Sequence, residues 1–200
     1  MQALREQIAH IDAVLYTHYH SDHTLGLEDL RGYNFKQGGA IPIYGSASTL
    51  AQIQRIFDYI FTPDPTYVGG QVPQVSCNEI PLFGTLTLFE ETIEVFDLIH
   101  GNISVSGFKF GSFAYATDCK GLPERTKKLL SGIDTLILDG LRYEQHQAHF
   151  TIPEAIATAQ ELGVRRTILT HMTHGVEFDA VSSKLPAGIE LAYDGMKLTW

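Results

Sequence analysis

The chain has 200 residues, of which 44% are hydrophobic and 18% charged, a balance that suits one globular domain with a substantial core and excludes a disordered chain. Its formal net charge of -9 argues against stable nucleic-acid binding, because phosphate backbones are gripped by Lys and Arg, while a small anionic substrate stays open if metal ions supply local positive charge. Two cysteines, Cys77 and Cys119, without CxxC spacing exclude a disulfide scaffold and a cysteine-based zinc site; no apolar run of about 18 residues could cross a bilayer and no signal pattern opens the chain, so a cytoplasmic location without membrane contact is expected.

In chain order, residues 2–9 read as the end of a helix and 11–16 (IDAVLY) as a buried strand. A short helix is predicted over 24–30, stopped by Gly32. IPIYG at 41–45 reads as a strand, and 46–61 as a helix capped by Ser46 or Ser48. PDPTYVGG at 63–70 is a breaker-rich loop. From 75 to 117 aromatic and β-branched runs are punctuated by Gly84, Gly101, Gly107 and Gly111, a strand pattern; ISVSGFKF and SFAYAT form a hairpin turning near Gly111. LPERTKKLL then reads as a helix, DTLILD as a buried strand, IPEAIATAQEL as a helix and RRTILT as another buried strand. This alternation predicts an α/β layered architecture, and with no repeat or linker in view 1–200 is read as one domain.

The chemistry is concentrated in THYHSDH at 17–23. In an extended segment alternate side chains share a face, so His18 and His20 point the same way, and Asp22 and His23 approach from the start of the next helix. Imidazole nitrogen and carboxylate oxygen suit zinc, manganese or iron, and this set exceeds the three protein ligands usual at one catalytic ion, which points to two. The alternative is two polar strand-end histidines and a helix-capping Asp22; four such residues together argue against it. His100, Asp118 and His171 each stand where a predicted strand meets a loop. Singly, each reads as a satisfied polar residue or a turn former; their shared location makes them candidate ligands, since rigid strand ends hold ligands accurately.

THYHSDH followed by His100, Asp118 and His171 resembles the metallo-β-lactamase-fold hydrolases, over nearly the whole chain. The segments THYHSDH, IPIYG, TDCKGLPERT, ILTHMTH and LPAGIELAYDGM are similar to the PhnP-type phosphodiesterases, which cleave a phosphoribosyl cyclic phosphate. The resemblance implies a metallo-β-lactamase-like αββα sandwich. It also implies two divalent ions, Zn or Mn with Fe accommodated: His18, His20 and His100 around one, Asp22, His23 and His171 around the other, Asp118 bridging. Water between them would be the nucleophile, with Asp22, Asp118 and His149 as the catalytic set. His149, which residue type alone would leave as a helix-flanking surface residue, matches a family histidine beside the substrate phosphate, where it would stabilise the transition state or protonate the leaving oxygen.

The same resemblance offers His174, Asp139 and Asp194 as residues that orient ligands or touch phosphate, against readings as surface or turn residues. Arg142 is a candidate phosphate contact. His10 and His146 are read as ordinary surface residues. Such folds begin with several strands before the helix that precedes the histidine motif, whereas Met1 stands only seventeen positions ahead of His18. The expectation is a fold lacking its first N-terminal strands, roughly a quarter of the domain, with an open sheet edge and a homodimer favoured. The expected activity is hydrolysis of a small cyclic phosphate or related phosphodiester. The alternatives are hydrolysis of a lactone, a thioester or an RNA end, or an inactive metal-binding chain.

Overall fold

Parallel pairing organises the first part of the chain and a long mixed sheet the second, in a computed structural model that describes residues 2–62, 64, 66 and 68–199. The chain divides into two compact units, up to Pro81 and from Leu82. Parts of the 63–70 loop, positions 63, 65 and 67, lie outside the described residues.

The first unit opens with α1 (Gln2–Arg5) and then the two-residue strand β1 (Val14–Leu15). The predicted helix and strand are therefore present but shorter. After β1 come α2 (Ser21–Thr24), a 3-10 turn over Leu25–Asp29, and α3 (Leu30–Gln37). Gly32 does not stop the helix. It lies inside α3, and Gly38, at φ 75, ends it, because a left-handed C-cap needs φ > 0 and Gly32 was simply the nearer glycine in sequence.

β2 (Ile41–Gly45) follows, then α4 (Ala47–Ile56) and α5 (Asp58–Phe61). The expected single helix over 46–61 breaks at Phe57, whose ψ of 39 leaves the helical region while its side chain stays in the core. Ser46, not Ser48, is the N-cap, its Oγ accepting from the Thr49 amide at 3.2 Å. β3 (Val75–Glu79) completes a parallel sheet ordered β1-β2-β3. Leu27, Ile41, Ile43 and Ile53 are fully buried between this sheet and its helices.

Two side chains of α3 tie it to the chain entering the strands. Gln37 pairs with both backbone groups of Ile11, each at 2.8 Å. Asn34 donates to the carbonyls of Gly39 and Gln74 and accepts from the Gln74 amide. With three backbone groups satisfied by one amide, the chain entering β2 and β3 has little freedom.

The second unit holds β4 (Gly84–Leu88), β5 (Glu91–His100), β6 (Ile103–Phe110), β7 (Phe113–Ala116), α6 (Glu124–Leu130), β8 (Thr135–Asp139), α7 (Ile152–Glu161), β9 (Arg166–Thr170), α8 (Phe178–Ser182) and β10 (Ile189–Leu191). Their seven-stranded sheet runs β10-β9-β8-β7-β6-β5-β4. β4 to β7 pair antiparallel and β7 to β10 parallel. The β6–β7 hairpin turns at Gly111, as its sequence predicts.

α6 packs on β5, α7 on β8 and β9, and α8 on β10. The core centres on Phe96, Leu98, Leu136, Leu138 and Leu169, none with any exposure. Thr151 and Glu154 close a reciprocal capping box at the start of α7. No helix among the described residues is long and apolar enough to cross a membrane.

The strand directions decide where the polar residues meet. β5, β7, β8 and β9 all run the same way, because β6 lies antiparallel between β5 and β7 and the others pair parallel. His100 ends β5, Asp118 follows β7, Asp139 ends β8 and His171 follows β9. All four therefore stand at one end of one sheet, the carboxyl end, where open α/β sheets leave a crevice.

Candidate metal centre

In the first unit, the extended backbone leaving β1 puts His18 and His20 on one face, as the alternation of a strand requires. His18 Nε2 and His20 Nδ1 lie 2.9 Å apart. His18 is buried, with its other ring nitrogen 3.0 Å from Thr17 Oγ1. His20 stands at the N-cap of α2 in an extended conformation, and its carbonyl accepts from the Thr24 hydroxyl at 3.0 Å. The helical turn then returns His23 to within 4.4 Å of the His18 ring and sets its Nε2 3.3 Å from Asp22 Oδ2. Three imidazoles and one carboxylate of a seven-residue segment thus converge inside one unit.

In the second unit, one ligand atom of His100 and one of Asp118 lie within 4.8 Å, as do one of Asp118 and one of His171. His171 Nε2 is 3.2 Å from Asp118 Oδ1, which also accepts from the Thr117 hydroxyl at 2.9 Å. His100 Nδ1 donates to the Ala148 carbonyl at 2.9 Å, which fixes the ring and leaves Nε2 as the ligand atom. Asp118 (φ 55) and His171 (φ 62) are both non-glycine residues in the left-handed region. Each such residue costs on the order of 1–3 kcal/mol, and such strain gathers at functional sites.

Beside these residues lies a buried pair. Asp139 Oδ2 accepts from His149 Nδ1 at 2.7 Å and from the Cys119 amide at 2.8 Å. Burial pushes the Asp139 carboxyl above its usual range, and its contacts with His149 and Cys119 pull it partly back. Asp139 Oδ1 is buried and has no hydrogen-bond partner among the described residues. Burial together with the charges of Asp139 and Asp118 pushes the Cys119 thiol well above its usual value, so it is inert packing.

The His149 ring stacks on His171 at 5.0 Å, with an interplanar angle of 8°, and meets the edge of His100 at 4.6 Å. Asp139 is therefore a buried strand-end group against His149, not a turn former. His174 and Asp194 are exposed on loops after β9 and β10. His10 is exposed, 3.0 Å from Asp12.

One residue departs from its sequence reading. His146 is not an ordinary surface residue: its ring lies 4.9 Å from that of His149, and its Nδ1 accepts from the Ala148 amide at 3.2 Å. Burial, then the nearby His149 and Arg142, lower its pKa. The only sequence signal was its position three residues before His149, which in a loop says nothing about direction.

The donor set fits divalent metal ions: imidazole nitrogens, with the second nitrogens of His18 and His100 held by Thr17 and Ala148, and the buried carboxylate of Asp118, which needs a cation to offset its charge.

Comparison with known proteins gives this arrangement a family. The family described as the Beta-lactamase superfamily domain matches residues 1–172. A solved structure of a diphosphatase from the PhnP family is 36% identical, with a TM-score of 0.88, over 99% of this chain and 75% of that one. The metallo-β-lactamase-fold protein YhfI from Bacillus subtilis shares the fold at 22% identity, with a TM-score of 0.71, over 93% of this chain and 76% of its own. An octanoyltransferase from Porphyromonas gingivalis (strain ATCC BAA-308 / W83) is 31% identical over 198 residues, 98% of this chain but 39% of that protein. The chain thus spans about two fifths of the curated relative it matches. Two sheets with their helices, a HxHxDH segment and ligand-type residues on strand ends are what this fold carries, and the chain belongs to the beta-lactamase superfamily, with the metallo-β-lactamase fold.

Proposed function

We propose that this chain is a dinuclear metal-dependent phosphodiesterase acting on a small phosphodiester. The observation that carries the reading is the 36% identity to a PhnP-family diphosphatase across 99% of the chain. The buried Asp139–His149 pair next to His100 and His171 supports it. Following the family pattern, His18, His20 and His100 would hold one divalent ion and Asp22, His23 and His171 a second, with Asp118 shared. Zinc, manganese or iron, when bound, would supply a Lewis acid for the phosphoryl oxygen and an activated water.

The chain's own groups do the rest. Asp139 accepts from His149 Nδ1 and thereby turns His149 Nε2 toward the reacting group. From there His149 hands a proton to the leaving oxygen, and Asp139 holds the charged ring that can do so. The carbonyl of Ala148, the residue before His149, fixes His100 at the end of β5, so the loop that carries the acid also holds that ring. No group in this set requires a cyclic ester, so the substrate class is a small phosphodiester, cyclic or linear.

The test is metal analysis combined with a panel of bis(p-nitrophenyl) phosphate and cyclic nucleotides. About two ions per chain with metal-dependent hydrolysis are expected; less than about one ion and no hydrolysis would overturn the reading.

The octanoyltransferase-named relative favours a second reading, hydrolysis of an acyl ester or thioester at the same site. A thioester expels a thiolate, which needs a proton from His149 less than the alkoxide of a phosphodiester does. A steep loss in His149→Ala on phosphodiesters with little loss on p-nitrophenyl octanoate keeps the first reading. Wild-type hydrolysis of p-nitrophenyl octanoate with no hydrolysis of any phosphodiester selects the second.

A further inference from the structure

The stretch that carries the candidate ligand Asp118 also carries a lysine that the proposed reaction does not use. Lys120 stands two residues after Asp118, in a stretch of the second unit without helix or strand. Its backbone amide donates to the Ile99 carbonyl at 2.8 Å, and the Ile99 amide donates to the Gly121 carbonyl at 3.0 Å. The stretch is thus sewn to β5 one residue before His100. On its other side the Cys119 amide donates to Asp139 Oδ2 at 2.8 Å, and the Cys119 carbonyl accepts from the Phe150 amide at 2.7 Å. These bonds fix where the Lys120 side chain starts.

Its ammonium then reaches the segment that carries His149. Nζ donates to Glu154 Oε1 at 2.8 Å and Oε2 at 2.7 Å, and to Gln145 Oε1 at 3.3 Å. Gln145 Nε2 donates to the same carboxylate at 3.3 Å, and the Thr151 amide donates to it at 2.9 Å. His149 lies between these anchors, four residues after Gln145 and two before Thr151. Residues 140–151 form no helix or strand, only an isolated bridge between Arg142 and Thr151, so the loop depends on its flanks for its position. The Lys120 and Glu154 side chains are 27% and 34% exposed, so water and salt screen this charge-assisted clamp less than an open surface pair. Asp139 sets which nitrogen of His149 faces away from it; the clamp sets where the loop carries the ring.

Resting on the phosphodiesterase reading, we propose that Lys120 is a positioning residue for the acid: its ammonium, bound to Glu154 and Gln145, holds the His149 loop against the Asp118 stretch and so places the His149 proton at the leaving oxygen. No proton moves to or from Lys120. Misplacing a reacting group by about 1 Å costs on the order of 10²-fold in rate. That cost falls only on leaving groups that need the proton: an alkoxide does, and p-nitrophenolate does not. A residue that merely supports the fold or the ligand Asp118 would affect both alike.

The experiment measures kcat for cyclic AMP, whose leaving group is an alkoxide, and for bis(p-nitrophenyl) phosphate. It uses metal-loaded wild type, Lys120→Met, Lys120→Arg and Glu154→Gln. Lys120→Met should lower kcat on cyclic AMP about 10- to 100-fold and leave bis(p-nitrophenyl) phosphate little changed. Lys120→Arg keeps a cation on Glu154 and should recover most of the loss. Glu154→Gln keeps an oxygen for the Thr151 amide but turns its N–H groups on the ammonium, and should show the same selective loss even where Lys120→Met does not fold. A second readout needs neither metal nor substrate: the His149 Nδ1 proton held by Asp139 should exchange with water faster, by NMR, in Lys120→Met than in wild type or Lys120→Arg. An equal fall on both esters, no fall on either, no recovery with Arg, or unaltered proton exchange overturns the positioning role and leaves the phosphodiesterase reading standing. Wild-type protein that hydrolyses neither ester overturns that reading and the role with it.

Discussion

His149 Nδ1 and Asp139 Oδ2 lie 2.7 Å apart in a pocket where the carboxylate is fully buried and its other oxygen has no partner among the described residues. A buried carboxyl whose pKa is raised by folding favours its protonated form in the native state. Its ionisation therefore costs nothing below the ordinary carboxylate range and costs progressively more as pH rises through that range toward the folded value. At neutral pH an ionised Asp139 is held against stability, which is the mark of a residue kept for orientation and charge.

Asp139→Asn removes that cost, and with its carbonyl oxygen at the Oδ2 position it still accepts from both His149 Nδ1 and the Cys119 amide, but it carries no charge to hold a protonated His149 ring. The expected outcome is a fall in kcat of about 10²–10⁴-fold with a melting temperature within about 2 °C of wild type. Steady-state kinetics on a cyclic nucleotide, whose alkoxide leaving group needs the proton, beside a thermal melt check it. Equal activity would remove Asp139 from the mechanism.

Asp118 and His171 stand in left-handed backbone conformations 3.2 Å apart. A cation that binds only the folded chain stabilises it by mass action, by about 2.7 kcal/mol at a hundredfold excess over its Kd. Zinc or manganese should therefore raise the melting temperature of chelator-stripped protein by roughly 5–10 °C. His171→Ala should lose most of that rise. Scanning fluorimetry measures it, and an undiminished rise in the variant would take His171 out of the ligand set.

Gly107 on β6 faces Phe96 on β5 directly in register, and a Cβ at Gly107 would stand 2.1 Å from Phe96 Cε2. Phe96 is fully buried and cannot swing away. Gly107→Ala should destabilise the protein by about 1–3 kcal/mol through overpacking, read as a lower urea midpoint at unchanged slope. Because β5 delivers His100, activity per folded molecule is expected to fall as well.

Burial works against ionisation of Glu154, yet hydrogen bonds from Lys120 and Thr151 hold its pKa down to about 2. A lowered folded-state pKa contributes stability that is present above the ordinary carboxylate value and lost as pH falls toward 2. Glu154→Gln should therefore cost about 1 kcal/mol at pH 7, the worth of a helix cap, with the gap to wild type closing as the pH approaches 2. Denaturant titrations at a series of pH values give the curve, and a gap that stays constant would mean that charge plays no part.

Strand period and strand ends carried most of what was legible in the chain. THYHSDH follows an apolar run that the structure leaves half-buried, so alternation alone places His18 and His20 together, and DTLILD and RRTILT read as strands because buried parallel strands are nearly continuous apolar runs. Helix boundaries were less legible: Gly32 and Gly38 are the same residue type, and only the turn that the following strand needs decides which one takes positive φ. The break at Phe57 had no signal either, because an aromatic residue suits a helix and a kink equally.

The sequence by itself determined the candidate ligand types, their positions at strand ends and the family pattern that joins them. The tertiary structure decided which strand ends share a side, through the parallel run of β5, β7, β8 and β9. It also decided that Asp139 is a partner of His149 and that the His146 ring meets His149 instead of facing solvent. Local patterns specify how a segment is built, but which side chains meet at one peptide is set by packing: the Ala148 carbonyl holds His100 from β5, far away in the chain, while its amide holds His146 of its own loop.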